Sequence, residues 1–273
     1  MIKVENEWYK NAEPICDSKL DKYLVVVLDL ESDYGAGGTD CLDKADHVIK
    51  FLKDKVVEFT VFCEGNILKS RHSTIELIEA AGGDMQLHCN DHLIGNDDVG
   101  EFKKGLNEYI KYFNRVPDGY RAGQFKMKDE LFKAIKDAGI KWDSSLLPVF
   151  NSKIYNTPLV FKDGFIEFPA SVWSGLRYPV GMSYCSVVGP ALFNLLIKKA
   201  KTMSYLNFTI HMHDLIPSQS LQNASFARRL AHRWNYRFGV RDPFDFFVKI
   251  INDYLDIGFT PISLNRLYSI LTT

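Results

Sequence analysis

Tyr23-Leu-Val-Val-Val-Leu-Asp-Leu30 is an almost unbroken apolar octet with three consecutive valines, and Asp29, Glu31 and Asp33 cluster where it ends. A strand-length run that is apolar on both alternating faces reads as a central strand buried on both sides. Such strands belong to parallel sheets covered by helices. Outward from this run the period switches repeatedly. Gly35, Gly37 and Gly38 form a loop, Thr39 or Asp40 caps a helix, and Leu42, Ala45, Val48, Ile49 and Leu52 recur at helical spacing. Val56 to Phe62 predicts a second strand stopping at Glu64-Gly65, and Ile75, Leu77, Ile78 and Ala81 mark a helix closed by Gly82-Gly83.

The alternation continues. Asp84 to His88 is a third strand, Phe102 to Phe113 a helix, Gly119 to Ala122 a short fourth strand, Leu131 to Ala138 a helix and Ile140 to Asp143 a fifth strand. A less regular stretch contains a hairpin around Asp163-Gly164. Beyond it come a helix over Ala191 to Ala200, a buried strand over Leu206 to Met212, a helix over Phe244 to Ile257 and a short strand over Thr260 to Leu264. Strand and helix in turn predict parallel βα units in one α/β domain spanning residues 1–273, with no linker or repeat.

Composition agrees. Of 273 residues, 46% are hydrophobic and 25% charged, which excludes disorder, collagen and coiled coil. A chain of this length buries about three quarters of its unfolded surface. With 33 basic against 34 acidic residues there is no general basic field for nucleic acid or an anionic membrane, so any partner is chosen by a local site. The N-terminal residues lack the apolar core of a secretory signal, and no stretch approaches the roughly 20 apolar residues of a membrane span; the expectation is a cytoplasmic protein. Cys16, Cys41, Cys63, Cys89 and Cys185 are scattered without a C-x-x-C pair, as reduced thiols are.

The polar residues share an address. Asp29 and Glu31 end the first strand, His88 and His92 the third, Arg121 the fourth and His213-Asp214 the late one, and a βα barrel builds its active site at that end. In His88-Cys-Asn-Asp-His92 two imidazoles stand four residues apart and one metal accepts both. Two histidines and a carboxylate suit zinc or a similar divalent ion with a position left for water, and Glu31 or Asp33 supplies the carboxylate. A spare carboxylate beside such a water is a general base. Asp29, closing an apolar strand, fits that role, and Arg121 is placed to hold it by a bidentate pair. In Ile210-His-Met-His-Asp214 two more histidines stand at the end of the late strand, and one of them is expected to face the mouth. His213, beside Asp214, is the expected general acid, with His211 packed outside. His47, His72 and His232 have no partners in view, and Trp173 is a candidate to line a pocket.

Six stretches in order resemble one family, the polysaccharide deacetylases of the NodB homology fold. They are Val57-Glu-Phe-Thr-Val-Phe-Cys-Glu-Gly65, Gly82-Gly-Asp-Met-Gln-Leu-His-Cys-Asn-Asp-His92, Gly119-Tyr-Arg-Ala-Gly-Gln-Phe125, Trp142-Asp-Ser-Ser-Leu-Leu-Pro148, Ile166-Glu-Phe-Pro169 and His211-Met-His-Asp214. The likeness covers about residues 23–214 and is nearest the branch found in surface-polysaccharide assembly. It implies a distorted seven-stranded (β/α) barrel that removes an N-acyl group, usually acetate, from an amino sugar with one divalent metal, zinc or alternatively cobalt, nickel or manganese. By the same resemblance Asp29 matches the base, His88 and His92 metal ligands, Arg121 the residue orienting the base, His213 the general acid and Asp143 a supporting acidic residue. A backbone N–H following Arg121 helps hold the oxyanion. Two departures stand out. The family's adjacent aspartates are replaced by Asp29-Leu-Glu31, making Glu31 the expected ligand with Asp33 as alternative, and Gly123 stands where proline is usual. Deformylation of a lipid-linked or nucleotide-linked amino sugar, and a carbohydrate-binding protein that has lost catalysis, are the competing readings.

Overall fold

The computed structural model describes residues 8–9, 11–32, 38–91, 98–149, 156–173, 177–215 and 240–273. Its strands are β1 (Glu13–Pro14), β2 (Tyr23–Leu30), β3 (Phe59–Cys63), β4 (Asp84–Leu87), β5 (Gly119–Tyr120), β6 (Trp142–Asp143), β7 (Leu159–Val160), β8 (Ile166–Glu167), β9 (Val172–Trp173), β10 (Tyr178–Pro179), β11 (Tyr205–His211) and β12 (Thr260–Pro261). Its helices are α1 (Ala45–Asp54), α2 (Gly65–Ser70), α3 (His72–Ala80), α4 (Val99–Phe113), α5 (Asp129–Asp137), α6 (Met182–Ala200), α7 (Met212–Leu215), α8 (Pro243–Asp256) and α9 (Leu264–Thr272).

The octet that opens the argument is β2 over its whole length, buried at every residue after Tyr23. Among the described residues, seven parallel strands run in the order β8-β6-β5-β4-β3-β2-β11. β7 and then β1 extend the β8 edge antiparallel, and β12 fills the β2 edge at Tyr23 and Leu24, below where β3 joins at Val26. The sheet curls into the expected distorted (β/α) barrel. Its seam between β8 and β11 has no strand ladder. Polar contacts bridge it instead: the Asn207 N–H donates to Ser171 Oγ (2.8 Å), the Asn207 side-chain amide to the Phe168 carbonyl (3.4 Å) and the Tyr205 hydroxyl to the Pro169 carbonyl (3.1 Å).

Alternation along β2 divides the core. Leu24, Val26, Leu28 and Leu30 pack outward under the helices, while Val25 and Val27 meet Phe62, Trp142, Phe168 and Tyr205 inside the barrel, with Leu264 and Leu267 of α9 in the same interior cluster. Positions 25, 27 and 29 therefore share the inward face, and the third is an aspartate. Gly119 is required by close approach, because a Cβ there would stand 2.2 Å from the Trp142 ring.

The hairpin at Asp163-Gly164 is present, joining β7 and β8 with Gly164 at φ 84°. Three features differ from expectation. α6 begins at Met182, nine residues before the predicted start, because Gly189 (φ 71°) and Pro190 interrupt its pattern. α9 starts where a strand was expected to end, its first turn capped by Ser263 Oγ accepting the Arg266 N–H. The short α2, which follows β3 directly, has too few residues to show a period. Among the described residues, no helix is long and apolar enough to cross a membrane.

Candidate active site

Asp29 is the last inward-facing residue of β2, and both it and Glu31 are buried. Asp29 meets Arg121, which follows β5 and is itself buried: Nη1 stands 3.2 Å from each carboxylate oxygen. The contact is not the expected two-nitrogen fork. The Arg121 Nε donates to the Ser144 carbonyl (3.0 Å), Nη2 to Ser144 Oγ (2.8 Å) and Nη1 also to Thr209 Oγ1 (3.1 Å), so one nitrogen remains to serve Asp29. The guanidinium also lies 4.6 Å over the Phe62 ring, which excludes water from its face.

His88 follows β4, and its ring is oriented by main chain. Its Nδ1 is 2.6 Å from the Arg121 carbonyl. A carbonyl only accepts, so Nδ1 carries the proton and Nε2 is left to face Glu31 Oε2 at 3.4 Å. Burial presses the imidazole pKa down, but the neighbouring acidic groups of Glu31 and Asp29 outweigh it and the pKa is raised. The turn after Glu31 is set by Glu64, a buried residue with no role in the sequence reading, whose carboxylate accepts the Ser32 N–H at 3.1 Å.

The two late histidines exchange their expected places. His211 is the last residue of β11, in register with Asp29, and its Nε2 lies 3.6 Å from Asp29 Oδ2 and 3.8 Å from Glu31 Oε1. Tyr205, Asn207 and Thr209 face inward on β11 while Phe208 and Ile210 belong to the outer core, so position 211 is inward by parity. His213, the expected general acid, already lies in α7, stacked on the His211 ring at 5.1 Å. Asp214 Oδ2 accepts from the His211 main-chain N–H (3.0 Å) and lies 3.1 Å from its Nδ1, and Ser183 Oγ donates to Oδ1 (2.6 Å). Burial disfavours the imidazolium, yet Glu31, Asp214 and Asp29 together hold its pKa up to about 10. Burial likewise disfavours the Asp214 carboxylate, but His211, His213 and Ser183 bring that pKa down to about 2. His211, His213 and Asp214 have ligand atoms within 4.8 Å of one another. The bond between His211 and Asp214 orients the imidazole.

Asp143, expected as a supporting acidic residue, is fully buried away from the mouth and bonded to Ser145. Two other expectations are corrected. The first N–H after Arg121, that of Ala122, is taken by Ser145 Oγ at 2.8 Å and is closed to an oxyanion. Trp173 lies wholly in the core against Phe193 and lines no mouth. His92, Asp33 and His232 lie outside the described residues.

The donor set suits a divalent cation. Two ligands each about 2.0–2.1 Å from a tetrahedral ion stand roughly 3.4 Å apart, the separation of His88 Nε2 and Glu31 Oε2. The His88 tautomer is fixed by a second hydrogen bond, as in established histidine metal ligands.

No family model and no curated protein sequence matches the chain. Solved structures do. A Mycobacterium smegmatis protein assigned to the polysaccharide deacetylases superposes with a TM-score of 0.54 at 16% identity, covering 93% of this chain and 97% of its own. A family 4 carbohydrate esterase from Bacillus anthracis gives 0.52 at 12% identity, covering 96% and 90%. A family 4 pseudoenzyme from the same organism gives 0.52 at 12% identity, covering 91% and 66%. The chain thus has the fold of the family 4 polysaccharide deacetylases, the NodB-like barrel, which working and silent members share.

Proposed function

We propose that this protein is a metal-dependent hydrolase that removes an N-acyl group, an acetyl released as acetate, from an amino sugar of a surface polysaccharide or its precursor. The observation that carries the reading is one arrangement: Asp29 gripped by Arg121, and His211 gripped by Asp214, face each other 3.6 Å apart beside Glu31 and His88. A base and an acid on either side of a cation site are what amide hydrolysis requires.

Glu31, His88 and His92 would hold the ion, Glu31 standing in for the carboxylate that the family's first motif supplies as aspartate. When bound, a divalent ion there supplies Lewis acidity to the amide carbonyl and to water. The remaining steps fall to the chain's own side chains. Asp29 takes a proton from the attacking water as its oxygen adds to the acyl carbon. Arg121 keeps both Asp29 oxygens directed inward. His211, charged and oriented by Asp214, then gives its Nε2 proton to the sugar nitrogen as the C–N bond breaks, so the amine leaves neutral. This hands to His211 the role that the resemblance assigned to His213.

The test is elemental analysis of the purified chain beside His88→Ala, followed by acid release from N-acetylated chitooligosaccharides. The expected result is about one divalent ion per chain, lost in the variant, and acetate released only by the loaded wild type. Formate released from N-formyl probes instead would favour the deformylase. An absence of metal after reconstitution would overturn the proposal in favour of a non-catalytic carbohydrate-binding protein.

A further inference from the structure

We infer that Glu167 is a positioning residue of this site: with Asp143 it clamps the Ser144–Leu146 turn from which Arg121, and through it Asp29, is held. The inference rests on the proposed reading of Asp29 as base. Asp143 and Glu167 are register partners on β6 and β8 and have no solvent exposure. Buried side by side, both groups are pushed toward the protonated form, and a proton held by one can be offered to the other. Each also grips the turn. Glu167 Oε1 accepts the Leu146 N–H (2.8 Å), and Asp143 accepts the Ser145 N–H (3.0 Å) and its hydroxyl (2.8 Å).

The turn so held does two things. Its Ser144 carbonyl and hydroxyl take two of the Arg121 donors, and its Ser145 hydroxyl takes the Ala122 N–H. Ser144 Oγ in turn donates to the Phe168 carbonyl, one residue after Glu167, closing the circuit between β6 and β8 (2.7 Å). Glu167 never meets the mouth, so it acts only through Arg121. A hydrophobic pair would fill the same volume, but it would leave the Leu146 and Ser145 N–H groups buried without acceptors, and the turn would move to satisfy them.

The experiment reads Arg121 directly and needs no substrate. Hydrogen exchange at the Arg121 Nε–H is followed by nitrogen-15 NMR in the full chain, the signal being identified by its loss in Arg121→Lys. Slow exchange is expected in the wild type and in Glu167→Gln, whose amide donates permanently to Asp143 and still accepts from Leu146. In Glu167→Ala exchange should accelerate by about tenfold or more while the global fold persists. Leu131→Ala, a buried change on α5 away from this circuit, serves as the control and should leave the signal slow. Unchanged exchange in Glu167→Ala, or equal acceleration in Leu131→Ala, would overturn the inference by reducing Glu167 to general stability. If Glu167→Ala does not fold, Glu167→Asp, too short to reach Leu146, takes its place with the same expectation. With penta-N-acetylchitopentaose as probe, the weakened variant should lose kcat with KM unchanged. A wild type that releases no acetate from any probe would count against the proposed function alone and leave the exchange result standing.

Discussion

Two pairs of buried carboxyl groups lie on one curled sheet and are handled in opposite ways. Asp29 and Glu31, two residues apart at the end of β2, are ringed by Arg121, His88 and His211. Asp143 and Glu167, side by side on β6 and β8, face each other and draw on main-chain N–H groups. Burial is nearly equal in the two places. The difference teaches that burial does not decide what a carboxyl group does; the charge of its neighbours does. Arg121 and the charged His211 place positive charge against the first pair, which offsets the cost of burying acidic groups there. The second pair lowers that cost by keeping a proton. Burial, then the neighbouring charge, push Glu167 well above the ordinary carboxylate range, and burial carries Asp143 up to about 6.

The comparison breaks most severely at Asp29. Asp29→Asn keeps shape and burial but removes the base, and acetate release should fall by about 10²- to 10⁴-fold while the metal measured by elemental analysis stays. Unchanged turnover would reject Asp29 as the base. Next is the exchange of the two histidines. His211→Gln should cost about 10²-fold or more in kcat, and His213→Gln less than about tenfold, because His211 is the one in register with Asp29 while His213 stacks on its ring from α7. The reverse order in steady-state kinetics would restore His213 as the acid.

The second pair is sharpened by pH. Its carboxyl pKa values are raised in the folded state, so the native protein binds the proton more tightly than the unfolded chain does. The stability this contributes is complete below the unfolded carboxylate range and is lost as pH rises, the Asp143 part through about 6. Asp214, brought down to about 2, works in the other direction, losing stability as pH falls toward that value. Urea titrations of wild type minus Glu167→Gln isolate the first effect, and the difference should decline by on the order of 2 kcal/mol between about pH 4 and pH 7. A flat difference would show that the pair keeps no proton. The smallest change is expected at Ser183, which only supports Asp214: Ser183→Ala should lower activity by about two- to fivefold, at a cost of about 1 kcal/mol for the lost hydrogen bond.

Much of this was legible in the order of residues. A doubly apolar octet can be satisfied only at the centre of a covered sheet, and β2 occupies that place over its predicted range. The hairpin at Asp163-Gly164 was equally local, since a positive φ at glycine turns the chain back on itself. α6 was half hidden because proline removes a donor and glycine breaks the period, although the helix resumes after both. The misplaced histidines were more nearly readable than the sequence reading allowed. Apolar Phe208 and Ile210 alternate with Asn207 and Thr209, and carrying that period one step further puts His211 inward. The reading gave weight to the neighbouring Asp214 instead, and the strand ends one residue before the chain turns helical.

From sequence alone came the parallel sheet, the position of Asp29 at a strand end, and the gathering of His88, Arg121 and the late histidines at one mouth, because hydrophobic period and side-chain alternation are properties of neighbouring residues. Which imidazole meets Asp29, where the remaining donors of Arg121 go, and that Glu167 stands against Asp143 came from packing across the sheet. Those contacts join residues as far apart as 29 and 211, and register between distant strands is set by how all of them close around one core.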